Sequence, residues 1–224
     1  MNIFSYKSKR FLTASNSIVL SLVIFTIFLI PLFPIEWHRI LYTIFFTLIF
    51  LISALALSKN RMTVFNLAII VVLVEWISIL LELSVITTVS FLANIIFFIL
   101  LVVLFIQQIV KADTVTLQVI VESINGYLML GMSFSILIAL VCAIDPMSFS
   151  FKHLSEPMNQ SISYFNNYSY YGFVTLTTLG YGDVVPLTPA ARSLSIFTSV
   201  SGQMYVAIII ALIVSKYLSR KSAE

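Results

Sequence analysis

Long apolar runs separated by short polar breaks make up almost the whole chain, and the breaks define its elements. The first run extends from about Ser17 to Phe33 and is closed by Pro31 and Pro34. Glu36, Trp37, His38 and Arg39 read as a tight turn, and further runs follow at about Ile40 to Leu57, Val64 to Leu83 and Phe91 to Val110. Lys59, Asn60 and Arg61 break the second run from the third, and Gln107, Gln108, Lys111 and Asp113 end the fourth. After a polar joint at Asp113 to Thr116, where Thr114 or Thr116 is suited to cap a helix start, the pattern predicts a long apolar helix from Leu117 to Ile144. Its first turns are expected to protrude or to lie along the membrane interface, and Asp145-Pro146 ends it. A polar and aromatic region continues through Asn167, and a last run covers Ser193 to Tyr217. About 18 to 25 apolar residues cross the roughly 30 Å hydrocarbon core as a helix, so the expected architecture is all-α with six transmembrane helices.

Composition agrees with that medium: 60% of residues are hydrophobic and 9% charged, against about 25% charged in a soluble domain. A charge at mid-bilayer is costly, so the few charges belong at the breaks or at special sites. The lone Cys142 excludes an intrachain disulfide and reads as packing at lipid depth. No cleavable signal is expected, the first helix serving as its own targeting element. Basic residues concentrate on the cytoplasmic side of short loops. With the N-terminus inside, Lys7, Lys9, Arg10, Lys59, Arg61, Lys111, Lys216, Arg220 and Lys221 share one side, and only Arg39, Lys152 and Arg192 the other. That bias predicts a multi-pass protein of the cell membrane with both termini cytoplasmic.

The candidate chemistry lies in Thr177-Thr178-Leu179-Gly180-Tyr181-Gly182-Asp183. Gly180 and Gly182 tolerate backbone angles that strain other residues, which allows consecutive carbonyls to face one axis. Tyr181 offers a large ring with a polar tip, suited to wedge the ribbon against surrounding helices. Thr178-Leu179-Gly180-Tyr181-Gly182 resembles the T-V-G-Y-G signature of potassium channels, with Leu179 in the valine position. The resemblance implies a selectivity filter whose carbonyls replace the water shell of a potassium ion. K+ would bind at Thr178, Leu179, Gly180 and Tyr181, as permeant ligand and with no other cofactor.

The resemblance covers roughly Leu117 to Arg220 and implies an outer helix, a re-entrant pore helix, the filter and an inner helix, with the pore helix and filter between the fifth and sixth spans. The pore helix is expected from about Asn167 to Thr177, capped by Asn166 or Asn167, its C-terminal dipole end favouring a cation on the axis. Tyr170 and Tyr171 match aromatic positions that brace the filter in related pores; the alternative is ordinary interfacial tyrosines. Asp183 matches the aspartate of the family's G-Y-G-D run at the outer mouth. Some members hold that aspartate with a pore-helix glutamate; here the matching position is Val174, so the resemblance does not specify what holds Asp183. Thr177 completes the filter support. Gly202, nineteen positions after Asp183 (202 − 183), matches a glycine at which inner helices bend, and reads either as a gating hinge or as a close-packing residue. One loop per chain and a ring that needs four imply a homotetramer, the partners being three further copies and the lipid bilayer, with a regulatory subunit or ligand left open and no nucleic acid.

Residues 1–112 are expected to form a four-helix transmembrane region resembling a voltage-sensor-like domain without arginines, and 113–224 the pore module. From Thr88 to Val110 there is no Lys or Arg, so strong voltage dependence is not expected. Glu75 lies within the third span and Glu82, seven residues on, shares its face. Intramembrane acids are functional candidates, the alternative being a protonated carboxyl hydrogen-bonded to a neighbouring helix. His38 and His153 sit apart in outer segments and no phosphate loop occurs, so no enzyme is expected; after Tyr217 the chain is too short for a nucleotide- or calcium-binding domain. Three readings of different class follow: a potassium channel, a membrane subunit of a potassium uptake transporter, and a nonconducting membrane adaptor. The single, intact loop favours the first.

Overall fold

The computed structural model describes residues 3–57, 61–81, 84–112, 114–151 and 165–221. Seven α-helices and one two-stranded ladder form in the order α1 (Ile3–Ile24), α2 (Ile35–Ala56), α3 (Arg61–Leu81), α4 (Ser84–Lys111), α5 (Leu117–Ile144), β1 (Phe149–Phe151), α6 (Phe165–Leu176), β2 (Val184–Pro186) and α7 (Pro189–Lys221). Among the described residues, six helical segments are long and apolar enough to cross a membrane: Leu12–Leu32, Ile35–Ala56, Arg61–Leu81, Val85–Lys111, Leu117–Ile144 and Pro189–Leu218.

Local chemistry explains the boundaries. Pro31 has no N–H and cannot continue an α-helical ladder. The turn before it widens, Ile30 N–H reaching back to Phe25 O over a π-helical stretch at Phe25–Leu29, and then tightens into a 3-10 turn at Ile30–Leu32. The chain reverses at Phe33 and Pro34, so Glu36 to Arg39 do not form the turn but occupy the start of α2. His38 is correspondingly not in an outer loop: it is 3% exposed and its Nε2 lies 2.8 Å from Phe33 O. For α5 the cap is Thr116, whose hydroxyl accepts Val119 N–H at 3.4 Å, and for α7 it is Thr188, which accepts Ala191 N–H at 3.3 Å with Pro189 in the first turn. Asn166 and Asn167 lie inside α6 and cap nothing.

Helices α1 to α4 pack in sequence order, and α1 and α4 both pack on α5, which in turn carries α6 and α7. One apolar core runs through this whole assembly. Its densest part is aromatic: Phe50 meets Phe97 and Phe98, each with ring centroids 4.7 Å apart. Phe165, at the start of α6, sets its ring edge-on to Tyr42 at 5.0 Å and to Phe46 at 5.4 Å, so α2 touches the short helix directly.

The first turns of α5 pack on α1 and α4. Glu122 is 1% exposed, and its Oε1 accepts amide N–H groups from Asn16 of α1 at 2.9 Å, Gln108 of α4 at 2.5 Å and Gln118 at 2.8 Å. Asn125 Nδ2 donates to Asn16 O at 2.9 Å. One buried carboxyl oxygen therefore ties three helices together by accepting from three convergent amide donors. Lys216 of α7 donates through Nζ to the carbonyl oxygens of Ile109 at 2.5 Å, Val110 at 2.8 Å and Ala112, at the C-terminal end of α4. An ammonium group suits those unpaired carbonyls and the negative end of the helix dipole.

The all-helical expectation omitted the ladder. β1 and β2 pair antiparallel with Phe149 opposite Pro186, Ser150 opposite Val185 and Phe151 opposite Val184, and Leu187 N–H adds a bond to Ser148 O at 2.8 Å. Pro186 is tolerated because it ends its strand. Phe149 and Phe151 pack edge-on against Tyr171 (5.1 Å) and Tyr168 (6.1 Å) of α6, so the ladder fastens the chain that leaves the 177–183 loop to the helix that enters it.

Candidate functional site: the loop between α6 and α7

Three of the loop's residues lie in the left-handed backbone region: Thr178 at φ +60°, Gly180 at +56° and Gly182 at +78°. Leu179 and Tyr181, between them, do not. Alternating backbone handedness turns successive peptide groups to the same side of the ribbon, whereas in a strand they alternate. For the two glycines this conformation carries no Cβ penalty. For Thr178, a β-branched residue, it is a strained state of order 1–3 kcal/mol that its surroundings must sustain.

The surroundings are visible. Leu179 N–H and Gly180 N–H both donate to Val174 O, at 3.0 and 3.3 Å, and Thr178 N–H donates to Thr175 O at 3.0 Å. Val174 supports the loop through its carbonyl, a role open to any side chain, which accounts for a valine at this position. The Thr177 hydroxyl donates to Phe173 O at 2.8 Å and also reaches Val174 O at 3.3 Å, closing the end of α6. Asp183 is held by Tyr170, whose hydroxyl donates to Oδ2 at 2.5 Å. That bond and the neighbouring carboxylate charge raise the Tyr170 pKa above the usual phenol value, so the phenol keeps its proton.

Helix α7 meets α6 and the loop along a polar seam. The Tyr171 hydroxyl lies 2.6 Å from Ser195 Oγ, and Ser199 Oγ donates to Thr175 O at 3.0 Å. At Gly202 an added Cβ would stand 2.2 Å from Leu176 O; only a glycine admits that approach. The last rung is Gln203, whose Nε2 lies 3.5 Å from the Thr178 hydroxyl. The spacing 195, 199, 202, 203 is one helical face, so the serines of this run are contacts to α6. Gln203 belongs to no motif; its signal in the sequence is a lone amide in an apolar stretch.

Two expectations change. Tyr181 does not wedge against this chain's own helices, since it is 67% exposed. The intramembrane acids do not form a described pair: Glu82 lies outside the described residues, while Glu75 is 3% exposed and neither of its carboxylate oxygens has a hydrogen-bond partner among the described residues. The hydrogen-bonded alternative for Glu75 is therefore not seen.

Six helices long and apolar enough to cross a membrane, among the described residues, are those of a multi-pass membrane protein, and a braced loop joins the last two. Residues 136–219, from mid-α5 almost to the end of α7, match the model of an ion channel family. The match makes this segment similar to an ion channel domain; α1 to α4 lie outside it. Comparison with curated proteins and with solved structures gives no match for the chain.

Proposed function

We propose that the protein is a homotetrameric, potassium-selective channel of the cell membrane. The observation that carries this reading is the alternation of left-handed φ at Thr178, Gly180 and Gly182, which suits a ribbon presenting the carbonyls of Thr178, Leu179, Gly180 and Tyr181 in successive layers. Four such ribbons around one axis would replace the hydration shell of K+. Asp183, held by Tyr170, would place a ring of carboxylates at the outer mouth.

Each chain offers one loop, so closure requires three further copies. Two features support association. The whole stretch Thr177–Gly182 is exposed in the single chain, and α7 exposes large apolar side chains, among them Ile196 (66% exposed), Val200 (49%) and Met204 (57%). Helix α6 would be re-entrant from the outer side, with both termini cytoplasmic by the distribution of Lys and Arg. The function is passive conduction without catalysis. Helix α4 carries one basic residue, Lys111, at its last position, so opening would depend little on membrane potential.

Reversal potentials under bi-ionic conditions test the proposal. Potassium and rubidium are expected to permeate with sodium strongly excluded, and Gly182→Ala is expected to abolish selective current while the protein still reaches the membrane. Equal sodium and potassium permeability in the native protein would refute it.

A further inference from the structure

The geometry points to Gln203 as a permeation residue at the inner entrance of the filter, positioning the Thr178 hydroxyl and contributing an amide to a ring that conducting or blocking cations meet from the cytoplasmic side. The inference rests on the tetrameric channel reading above. Gln203 lies 14 residues after Pro189 (203 − 189), about 21 Å along α7 at 1.5 Å per residue, so it stands near the middle of the membrane and not at either surface. Polar side chains at that depth are costly unless they have a polar partner or line a watery cavity. Here the side chain is exposed and its amide nitrogen faces Thr178 Oγ1 at 3.5 Å. Its amide oxygen has no partner among the described residues.

Thr178 is the residue that most needs support, being the only described non-glycine with positive φ. Its backbone N–H is fixed by Thr175 O, whereas its hydroxyl receives the Gln203 amide. One residue earlier, Gly202 brings the α7 backbone against Leu176 O, which sets Gln203 beside the foot of the loop. Around a fourfold axis, four amide oxygens would then surround the space just inside the threonine hydroxyls. Amide oxygens there can replace water on a cation entering from within, as backbone carbonyls do in the layers above.

Gln203→Leu and Gln203→Glu, in the full chain reconstituted in planar bilayers, separate this role from packing. Gln203→Leu removes the amide at nearly constant size; outward unitary potassium current is expected to fall about threefold, with the potassium-to-sodium reversal potential unchanged. Gln203→Glu keeps the shape and a hydrogen bond to Thr178 but adds a charge; block by cytoplasmic magnesium is expected to tighten about tenfold, because a carboxylate within several ångströms attracts a divalent ion strongly. If Gln203→Leu does not assemble, the Gln203→Glu block alone decides. Native potassium-selective current with both outward current and magnesium block unaltered in the variants would overturn the role of Gln203 and leave the channel reading standing. Absence of potassium-selective current in the native protein would overturn both.

Discussion

Replacing Gly202 by alanine would set a methyl carbon 2.2 Å from the Leu176 carbonyl oxygen and 3.0 Å from its carbonyl carbon. The obstacle is backbone at the end of α6, fixed by the bonds that also hold the loop, so α7 must move away or the loop must deform. Overpacking of this kind costs about 1–3 kcal/mol, and four copies in a tetramer would carry about 4–12 kcal/mol between them. Gly126 supplies the control. A Cβ there meets the Tyr205 hydroxyl at 2.2 Å and its Cζ at 3.2 Å, so the obstacle is a side chain, not backbone, whose ring can shift with the loss of one bond to Ser123 O (2.9 Å), about 1 kcal/mol for that bond. Thermal dissociation of the proposed tetramer in detergent is the assay, read beside potassium selectivity in bilayers. Gly202→Ala is expected to lower the dissociation temperature well beyond Gly126→Ala and to lose selective conduction. A Gly202→Ala tetramer of native stability and selectivity, altered only in open probability, would refute the packing argument and favour the hinge.

Other outcomes follow from the same contacts. Tyr170→Phe removes one hydrogen bond from Asp183, and in the proposed channel potassium current is expected to decay faster during prolonged opening than in the native protein, measured with sustained voltage steps at low external potassium. Because the Tyr170 pKa is raised by that contact, its stabilising contribution is fully present below the ordinary phenol value of about 10 and is lost as pH rises beyond it; external alkalinisation into that range should reproduce the Tyr170→Phe decay. Lys216→Met removes an ammonium from the carbonyls of Ile109, Val110 and Ala112, a loss of about 2 kcal/mol, and should change open probability without changing reversal potential in single-channel records. Glu122→Ala leaves the amides of Asn16, Gln108 and Gln118 without their acceptor, at about 1–3 kcal/mol for each stranded donor, and is expected to abolish a monodisperse peak in size exclusion where Glu122→Gln retains part of it.

The membrane elements were legible because each is set by its own residues. Apolar length, Thr116 before Leu117 and Asp145-Pro146 after Ile144 bound α5 at the residues observed. The loop was legible because Gly180 and Gly182 are where positive φ occurs, although Thr178 at +60° was not anticipated. What the pattern could not report is which polar side chain faces which helix. Glu122, Asn16 and Gln108 come from segments more than ninety residues apart in part, as with Asn16 and Glu122 at a separation of 106, and nothing local pairs them. His38 was misplaced because polar residues at the foot of a helix resemble a turn when only hydropathy is read. The β1–β2 ladder eluded the reading because three-residue strands carry too little alternation to stand out from the aromatic stretch around them.

The central claim is that this chain alone builds a potassium-selective pore, and ion flux into liposomes holding only the purified protein tests it most directly. The account predicts potassium-driven uptake of rubidium that sodium cannot replace and that Gly182→Ala abolishes. Rubidium uptake no greater than in protein-free liposomes, or sodium flux equal to potassium flux, would contradict it.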